Sequence, residues 1–304
     1  MTPLRFAVVG RGPMAAKMRA LIGDVPEGEA EALYIASRNR DHAARAIAAL
    51  EAGRAVLCEK PFALSVAEAE RVVAASKRTG RLLMEAVATP FLPAVSAALE
   101  AAGSGRLGKL RRLEASFGYP VRRADHPRLF EADGGVLADR AVYPLMLALI
   151  GLGPVTAVRA AVDRDDGGVD VAARFTLDHE GGGRSELAVS FAARLDNALL
   201  IEGDAAMVEV APPLLTAQRL RIAPHPRKPA SSLWRRTRQG PLIRRLADAS
   251  SRVIGEWRPY GVSPYLPEIE HFTALFRAGA IESPIVGHER MLAVARLIEQ
   301  ARSR

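Results

Sequence analysis

Apolar residues come first in short unbroken runs separated by helical periods. Residues 5–10, RFAVVG, read as a buried parallel strand ending in glycine, and a helix follows to about Ile22. A second run, EALYIA at 31–36, leads into the helix AARAIAALEAG, which Gly53 stops. A third, RAVLC, runs into Glu59-Lys60-Pro61, where the proline biases Lys60 toward an extended backbone at the strand's C-terminal end. From about residue 107 the rhythm changes. LRRLEASFG, VTAVRAAVDR, DVAARFTLD, RSELAVSFAAR, NALLIEG and AMVEVAP are short alternating runs with Gly and Asp turns between them. Such alternation marks strands with one face buried and one open, and predicts a large, mainly antiparallel sheet. Helical periods return over about 266–303. The pattern predicts an α/β chain in two parts, a parallel-sheet domain over 1–106 and an α+β domain over 107–304.

The turn after the first strand is Gly10-Arg11-Gly12-Pro13-Met14-Ala15, a GxGxxA pattern. In a strand–turn–helix setting Gly10 permits the tight turn and Gly12 lets the backbone approach a pyrophosphate. Ala15 lets helix and strand pack closely, and the helix start at Pro13 and Met14 faces the phosphate. The alternative reading is a plain tight turn.

Composition narrows the class. Hydrophobic residues make up 49% and charged residues 25%, as expected of a soluble globular protein. No run of apolar residues is long enough to span a membrane. The first strand starts within five residues of Met1, which leaves no room for a signal peptide. The single cysteine, Cys58, forms no internal disulfide and fits a reducing cytoplasm. The net charge of +8 is local: residues 219–252 hold ten Arg or Lys against Asp248, leaving 32 basic and 33 acidic residues elsewhere. Within that basic segment, an insertion over about 219–257, PHPRKPASS reads as a loop. PLIRRLADASSRVIGEW reads as an amphipathic helix, with Leu242, Ile243, Leu246, Val253, Ile254 and Trp257 on one side. It fits a lid, a docking surface, a membrane-surface helix or a solvated helix packed on its own domain. No nucleic-acid motif accompanies the charge. His126, His179, His225 and His288 show no metal spacing, so no metal site is expected; His271 reads as structural, and no nucleophile elbow or triad is present.

The stretch from YIASRNRDH through ALEAG…RAVLCEKP to LLMEA resembles the Gfo/Idh/MocA family (glucose-fructose oxidoreductase, inositol dehydrogenase and relatives). Asn39, His42, Ala52-Gly53 and Glu59-Lys60-Pro61 fall at that family's spacing. GGVLADRAVYPL resembles its GGGxLxDxGxYP motif, and EIEHF…ESPIV…M fits its C-terminal part. The resemblance implies a Rossmann-like parallel-sheet domain, here truncated, followed by the α+β domain, with NAD or NADP as cofactor. By resemblance Gly10, Gly12, Pro13, Met14, Ser37, Arg38, Asn39, His42, Glu59 and Lys60 would line the cofactor. Lys60, Asp139 and Tyr143 would carry the chemistry. At i, i+4 the last two are expected on one face of a helix starting near Ala138, and a lysine cation can lower the pKa of a neighbouring tyrosine. Bland alternatives stand beside these: a strand-end lysine for Lys60, a core aromatic for Tyr143, a helix-start polar residue for His42. The family's second domain commonly dimerises through its open sheet face, implying a homo-oligomer.

Three departures stand out. Family members place about forty to fifty residues between the first helix and the second matching strand, forming strands 2 and 3 of the order 3-2-1-4-5-6. Here only residues 23–30 bridge the gap, so the strand whose end binds the adenosine ribose is missing. Either the first helix changes sheet face or strand 31–36 takes the second-strand position. The arginine often found after MEA is replaced by Ala88-Thr89-Pro90-Phe91, and Arg140-Ala141 alter the DxGxY motif. Arg38 reads either as a phosphate ligand or as a solvated surface residue. Two functions follow. One is an NAD(P)-dependent oxidoreductase acting on a hydroxyl or carbonyl of a sugar, cyclitol or diol. The other is a derived cofactor-free protein, an isomerase, lyase or cyclase using Lys60 and Tyr143, or a non-catalytic binding subunit.

Overall fold

The computed structural model describes residues 3–224 and 255–303. The first apolar runs form four parallel strands, β1 (Phe6–Val9), β2 (Ala32–Ile35), β3 (Ala55–Glu59) and β4 (Leu83–Ala86), hydrogen-bonded in that order. Between them run α1 (Pro13–Ile22), α2 (His42–Glu51) and α3 (Val66–Thr79). Local chemistry sets their ends. Proline opens α1, where its missing N–H costs nothing. The Ser65 hydroxyl accepts the Glu68 N–H at the start of α3, and the Glu68 carboxylate reaches back to the Leu64 N–H.

The shortened connection leaves β2, β3 and β4 all on one side of β1. Right-handed crossovers place α2 and α3 together on one face, where they pack against each other. α1 stays on the other face: the Lys17 ammonium lies 5.1 Å from the Tyr265 ring centre, beside the helix whose Phe272 packs on Phe6. After α1 the chain runs beside the outer edge of β1, then turns back beneath the sheet to β2. That edge is sealed group by group. The Val25 N–H donates to the Phe6 carbonyl, the Val8 N–H donates to Asp24 Oδ1 at 2.9 Å, and Arg19 Nη2 donates to the Val8 and Gly10 carbonyls at 2.6 and 2.8 Å. Arg19 is held in turn by Asp24 at 2.6 Å. Two residues and two side chains thus satisfy the backbone that a neighbouring strand would otherwise pair. On the opposite edge the Leu83 N–H donates to the Ile281 carbonyl.

After α4 (Pro93–Gly103) the alternating runs build an eight-stranded sheet. In chain order the strands are β5 (Leu110–Gly118), β6 (Val155–Arg164), β7 (Asp170–His179), β8 (Arg184–Ser190), β9 (Leu199–Gly203), β10 (Ala206–Val210), β11 (Arg219–Pro224) and β12 (Gly255–Trp257). They lie side by side as β12-β11-β10-β9-β5-β8-β7-β6, antiparallel except for the β5–β8 pair. α4 and α6 (Val142–Leu152) cover one face, reached through the short α5 (Gly135–Asp139). The other face is open and ion-paired rather than apolar, with Arg112 bridging Glu114 and Glu186, and Arg221 bridging Glu209. Two helices close the chain, α7 (Leu266–Arg277) and α8 (His288–Arg302). α8 ties the sheets together: the Glu299 carboxylate accepts the Val66 N–H, Arg302 donates to the Leu64 carbonyl, and Arg164 donates to the Arg302 carbonyl.

The amphipathic helix expected over PLIRRLADASSRVIGEW lies outside the described residues except at its end. There the expectation is corrected: Gly255–Trp257 is a strand, and Trp257 pairs in register with Arg219 and stacks on its guanidinium. Arg219 and Arg221, counted with the basic insertion, belong to β11. Among the described residues no helix is long and apolar enough to cross a membrane.

The sealed edge makes a stability prediction. Asp24→Ala leaves the Val8 N–H and Arg19 without their partner and should lower unfolding free energy in urea by about 1–2 kcal/mol, while Asp24→Asn, which keeps an acceptor, should cost less. An Asp24→Ala protein as stable as the parent would show that the edge does not depend on this carboxylate.

Candidate active site

Lys60 follows β3 directly and precedes a cis peptide bond to Pro61. Its ammonium donates to Asp139 Oδ1 at 2.7 Å and to the Asp139 carbonyl at 2.9 Å, joining the end of the parallel sheet to the second half of the molecule. The side chains of the pair are only 14% and 24% exposed. Asp139 is the last residue of α5, whose start explains the double glycine before it. Gly135 has φ of +88°, and a Cβ there would run into the Asp170 carboxylate, which instead accepts the Leu137 N–H at 2.7 Å.

The single helix expected to carry Asp139 and Tyr143 is corrected: α5 ends at Asp139 and α6 begins at Val142. Arg140 occupies the break. Its buried guanidinium donates Nη1 to the Tyr119 carbonyl at 2.9 Å and also to the Ser190 carbonyl, and lies 4.9 and 4.6 Å from the ring centres of Phe117 and Phe191. Pro144, without an N–H, sits where a first helical turn tolerates it, so the chain restarts its helix there. Tyr143 still arrives at the site. The Lys60 ammonium is 5.4 Å from its ring centre, and Phe117 meets the ring edge-on at 5.5 Å. Arg140 Nε lies 3.6 Å from Asp139 Oδ2, so the Asp139 carboxylate sits between two cations.

Charge states follow from this packing. Burial disfavours the Lys60 cation, but the charge and hydrogen bond of Asp139 outweigh it and hold the ammonium above the ordinary lysine range. Burial pushes Asp139 up, yet Lys60 and Arg140 keep it below the usual carboxylate range. Tyr143 goes the other way from the expectation that its lysine neighbour would lower it. Burial dominates and raises the phenol, with Lys60 only partly offsetting. The resting site therefore pairs a fixed cation with a protonated tyrosine. Beneath it lie three buried carboxyls that sequence reasoning passed over or read differently: Glu59, Glu85 and Glu268. Burial raises all three, and Glu85 reaches about 7. Glu59 is hydrogen-bonded to the Tyr34 hydroxyl at 2.5 Å. Glu85 accepts the Phe62 N–H at 3.1 Å. A glutamate inside the apolar run LLMEA was the available signal for Glu85; Glu268 opens the EIEHF motif, which gave no sign of its burial.

The residues that the resemblance assigned to a cofactor divide into two groups. Gly10, Gly12, Ser37 and Arg38 line a cavity of about 730 Å³ at the C-terminal ends of β1 and β2. Pro13 and Met14 open α1 directly after Gly12. The others turn to the protein itself. Asn39 donates to the Asp133 carbonyl at 2.8 Å, His42 is buried with Nδ1 2.8 Å from the Pro61 carbonyl, and Glu59 is consumed as above. Arg38 pairs with Glu131 at 2.8 Å, so it is neither a free phosphate ligand nor simply solvated. Two glycines test whether the cavity fits a dinucleotide. Gly10 has φ of +137°, and a Cβ would strike the Ala36 carbonyl, so the protein's own strands require it. Gly12 has an ordinary φ of −80° and nothing within 4 Å of its Cβ position. Neither backbone nor packing demands glycine there, and what its absent side chain leaves is room for a phosphate at the start of α1. The cavity fits the pyrophosphate; the adenosine side has only the Arg19–Asp24 seal.

Comparison with known proteins places this geometry. A family model described as "Oxidoreductase family, NAD-binding Rossmann fold" matches residues 13–87, and the GFO/IDH/MocA C-terminal domain model matches residues 95–209. Trans-1,2-dihydrobenzene-1,2-diol dehydrogenase of Bos taurus is 30% identical over 229 residues, 71% of this chain and 68% of that one. A dTDP-3,4-didehydro-2,6-dideoxy-alpha-D-glucose 3-reductase of Streptomyces violaceoruber is 37% identical over 160 residues, 52% of this chain and 47% of its own. In fold the chain is similar to the aldose-aldose oxidoreductase of Caulobacter crescentus, solved with glycerol (TM-score 0.79, 21% identity, covering 99% and 98% of the two chains). It is also similar to levoglucosan dehydrogenase, solved with NADH and levoglucosan (TM-score 0.77, 17% identity, 99% and 88%).

The buried carboxyls make stability depend on pH with a defined sign. Folding keeps the proton on Glu85 up to about pH 7, while an ordinary carboxyl releases it near 4.5. The native state binds the extra proton between those values, so this group's contribution is full below about 4.5 and lost as pH rises through 7. Glu85→Gln should remove that loss. Its stability advantage over the parent, from urea melts, should grow between pH 5 and pH 8 by on the order of 3 kcal/mol. Parallel pH profiles for the two proteins would contradict the assignment.

Proposed function

This chain belongs to the Gfo/Idh/MocA oxidoreductase family, and we propose that within it the protein is an NAD(P)-dependent oxidoreductase interconverting a hydroxyl and a carbonyl on a sugar, cyclitol or diol. The observation that carries this reading is the cluster of Lys60, Asp139 and Tyr143 at the C-terminal edge of the parallel sheet, on the same edge as the phosphate-sized opening at Gly12. Ligands of open parallel sheets sit at that edge. The division of labour proposed is a nucleotide half over 1–106 and a substrate half over 107–304.

The nicotinamide, when bound, supplies or accepts the hydride. Gly10, Gly12, Pro13, Met14 and Ser37 would hold the dinucleotide's phosphates. The chain's own residues manage the proton. Asp139 fixes the Lys60 ammonium, which polarises the substrate oxygen and favours negative charge developing on it. Tyr143, kept protonated by burial, donates its phenolic proton to that oxygen in the reducing direction and takes it back in the oxidising direction. Lys60, held above the ordinary lysine range, serves as the permanent cation rather than the proton carrier. Gly12 weighs against the cofactor-free alternative, since nothing in the protein's own packing requires that glycine. The lone buried Cys58 accords with a cytoplasmic setting, and the open face of the eight-stranded sheet is the surface proposed for homo-oligomer formation.

The test is turnover of a panel of diols, aldoses, cyclitols and their keto forms with each nicotinamide cofactor. Cofactor-dependent oxidation or reduction of at least one member is expected, with Tyr143→Phe and Lys60→Met each lowering kcat by about 10²–10⁴-fold at unchanged cofactor affinity. Absence of turnover with both cofactors, or a Tyr143→Phe protein with full activity, would overturn the reading.

A further inference from the structure

Arg140 stands directly after Asp139 and a few residues before Tyr143, and it does more than interrupt a helix. β5 and β8 are the parallel pair of the large sheet, and they end side by side, with Gly118 opposite Ser190. Strands that end this way leave carbonyls at one edge where the ladder stops. Arg140 Nη1 takes two of them, donating to the Tyr119 carbonyl at 2.9 Å and to the Ser190 carbonyl. Phe117 and Phe191, next to these strand ends, place their ring centres 4.9 and 4.6 Å from the guanidinium carbon. The head of the side chain is therefore fixed to the sheet.

From this fixed point two groups of the site are set. The Arg140 carbonyl accepts the Tyr143 N–H at 3.3 Å, one of the donors that a helix start leaves open. Phe117, packed on the guanidinium, meets the Tyr143 ring edge-on at 5.5 Å. On the other side Arg140 Nε faces Asp139 Oδ2 at 3.6 Å, while Asp139 Oδ1 holds the Lys60 ammonium at 2.7 Å. That Nε is buried and makes no hydrogen bond among the described residues. A buried donor without an acceptor is costly, so its position calls for an explanation in what it faces. It faces the free oxygen of the carboxylate that fixes Lys60.

Resting on the proposed dehydrogenase function, we infer that Arg140 is a positioning residue of the reaction. It ties Tyr143 and Asp139, and through Asp139 also Lys60, to the ends of β5 and β8. Its Nε is the second anchor of Asp139, holding the carboxylate in place when the Lys60 ammonium turns to a substrate oxygen. The arrangement needs a fork. A lysine ammonium reaches from a single point and lacks the spread of donors that serves the carbonyls and the carboxylate together, and methionine fills the space with no donor at all.

Two readouts on the full chain test this in Arg140→Met and Arg140→Lys, each taken well below the variant's melting temperature. The first is turnover of the diol, aldose and cyclitol panel. In Arg140→Met kcat is expected to fall about 10²-fold at unchanged KM for the cofactor, and Arg140→Lys is expected to recover part of the loss. The second needs no substrate. In ¹⁵N spectra of the lysine ammonium groups near neutral pH, a sharp signal requires an ammonium held by partners and shielded from exchange, and Lys60→Met identifies the signal of Lys60. That signal is expected in the parent and lost in Arg140→Met. A folded Arg140→Met protein that melts lower but keeps the parental kcat and the Lys60 signal makes Arg140 a cap of strand ends alone and overturns the inference. Should Arg140→Met not fold, Arg140→Lys decides: a kcat lowered about tenfold with a broadened Lys60 signal supports the assignment, and parental values of both overturn it. Absence of turnover by the parent overturns the dehydrogenase reading, and the Lys60 signal then decides by itself whether Arg140 positions the pair.

Discussion

The contact on which the site depends is the ion pair between Lys60 and Asp139. It is short, largely withdrawn from water, and spans the two halves of the molecule. Withdrawing two charges from solvent is costly unless each keeps good partners, and removing one would strand the other. Here the partners are supplied in series. Asp139 sits against Arg140 as well as Lys60, and Arg140 is pinned by two backbone carbonyls and two aromatic rings. Asp170 and Gly135 set the start of the short helix that ends in Asp139. A chain of ordinary contacts thus fixes one ammonium beside one tyrosine, and the chemistry of the site is the consequence.

The missing strands change the other end of the cleft without disturbing this one. A parallel sheet with a bare edge would expose unpaired backbone groups. The chain answers with a two-residue stub, Asp24-Val25, and one arginine, keeping α1 on its face of the sheet while the next strand pairs on the far side of β1. The phosphate-facing turn survives because Gly10 is demanded by strand packing and Gly12 leaves its space free. What is lost is the strand that would flank β1 on that side.

Much of the fold was legible in the sequence. Three apolar runs became parallel strands, the fourth strand matches the LLMEA stretch of the family resemblance, and the alternating runs became the large sheet, because burial on two faces or on one leaves a direct imprint on residue order. The chemical residues Lys60, Asp139 and Tyr143 were legible through motif resemblance, and they do meet. The rest depended on contacts distant in sequence. Arg140 registered as an oddity in its motif, yet its carbonyl partners at Tyr119 and Ser190 explain both its burial and the helix break. Asp170 and Ile281 act from segments 33 or more residues away from what they touch, and no local pattern announces them. The direction of the Tyr143 shift was missed because proximity to a cation was visible and the extent of burial was not.

The central claim is that burial keeps Tyr143 protonated beside a lysine held permanently charged. It is tested most directly by labelling the five tyrosines with ¹³C at Cζ and following their resonances with pH, Tyr143→Phe identifying the signal of interest. The Tyr143 resonance should hold the chemical shift of a neutral phenol through about pH 10, the ordinary tyrosine midpoint. A Tyr143 signal that moves to the phenolate position near neutral pH would contradict the account and make the tyrosine, at rest, a base.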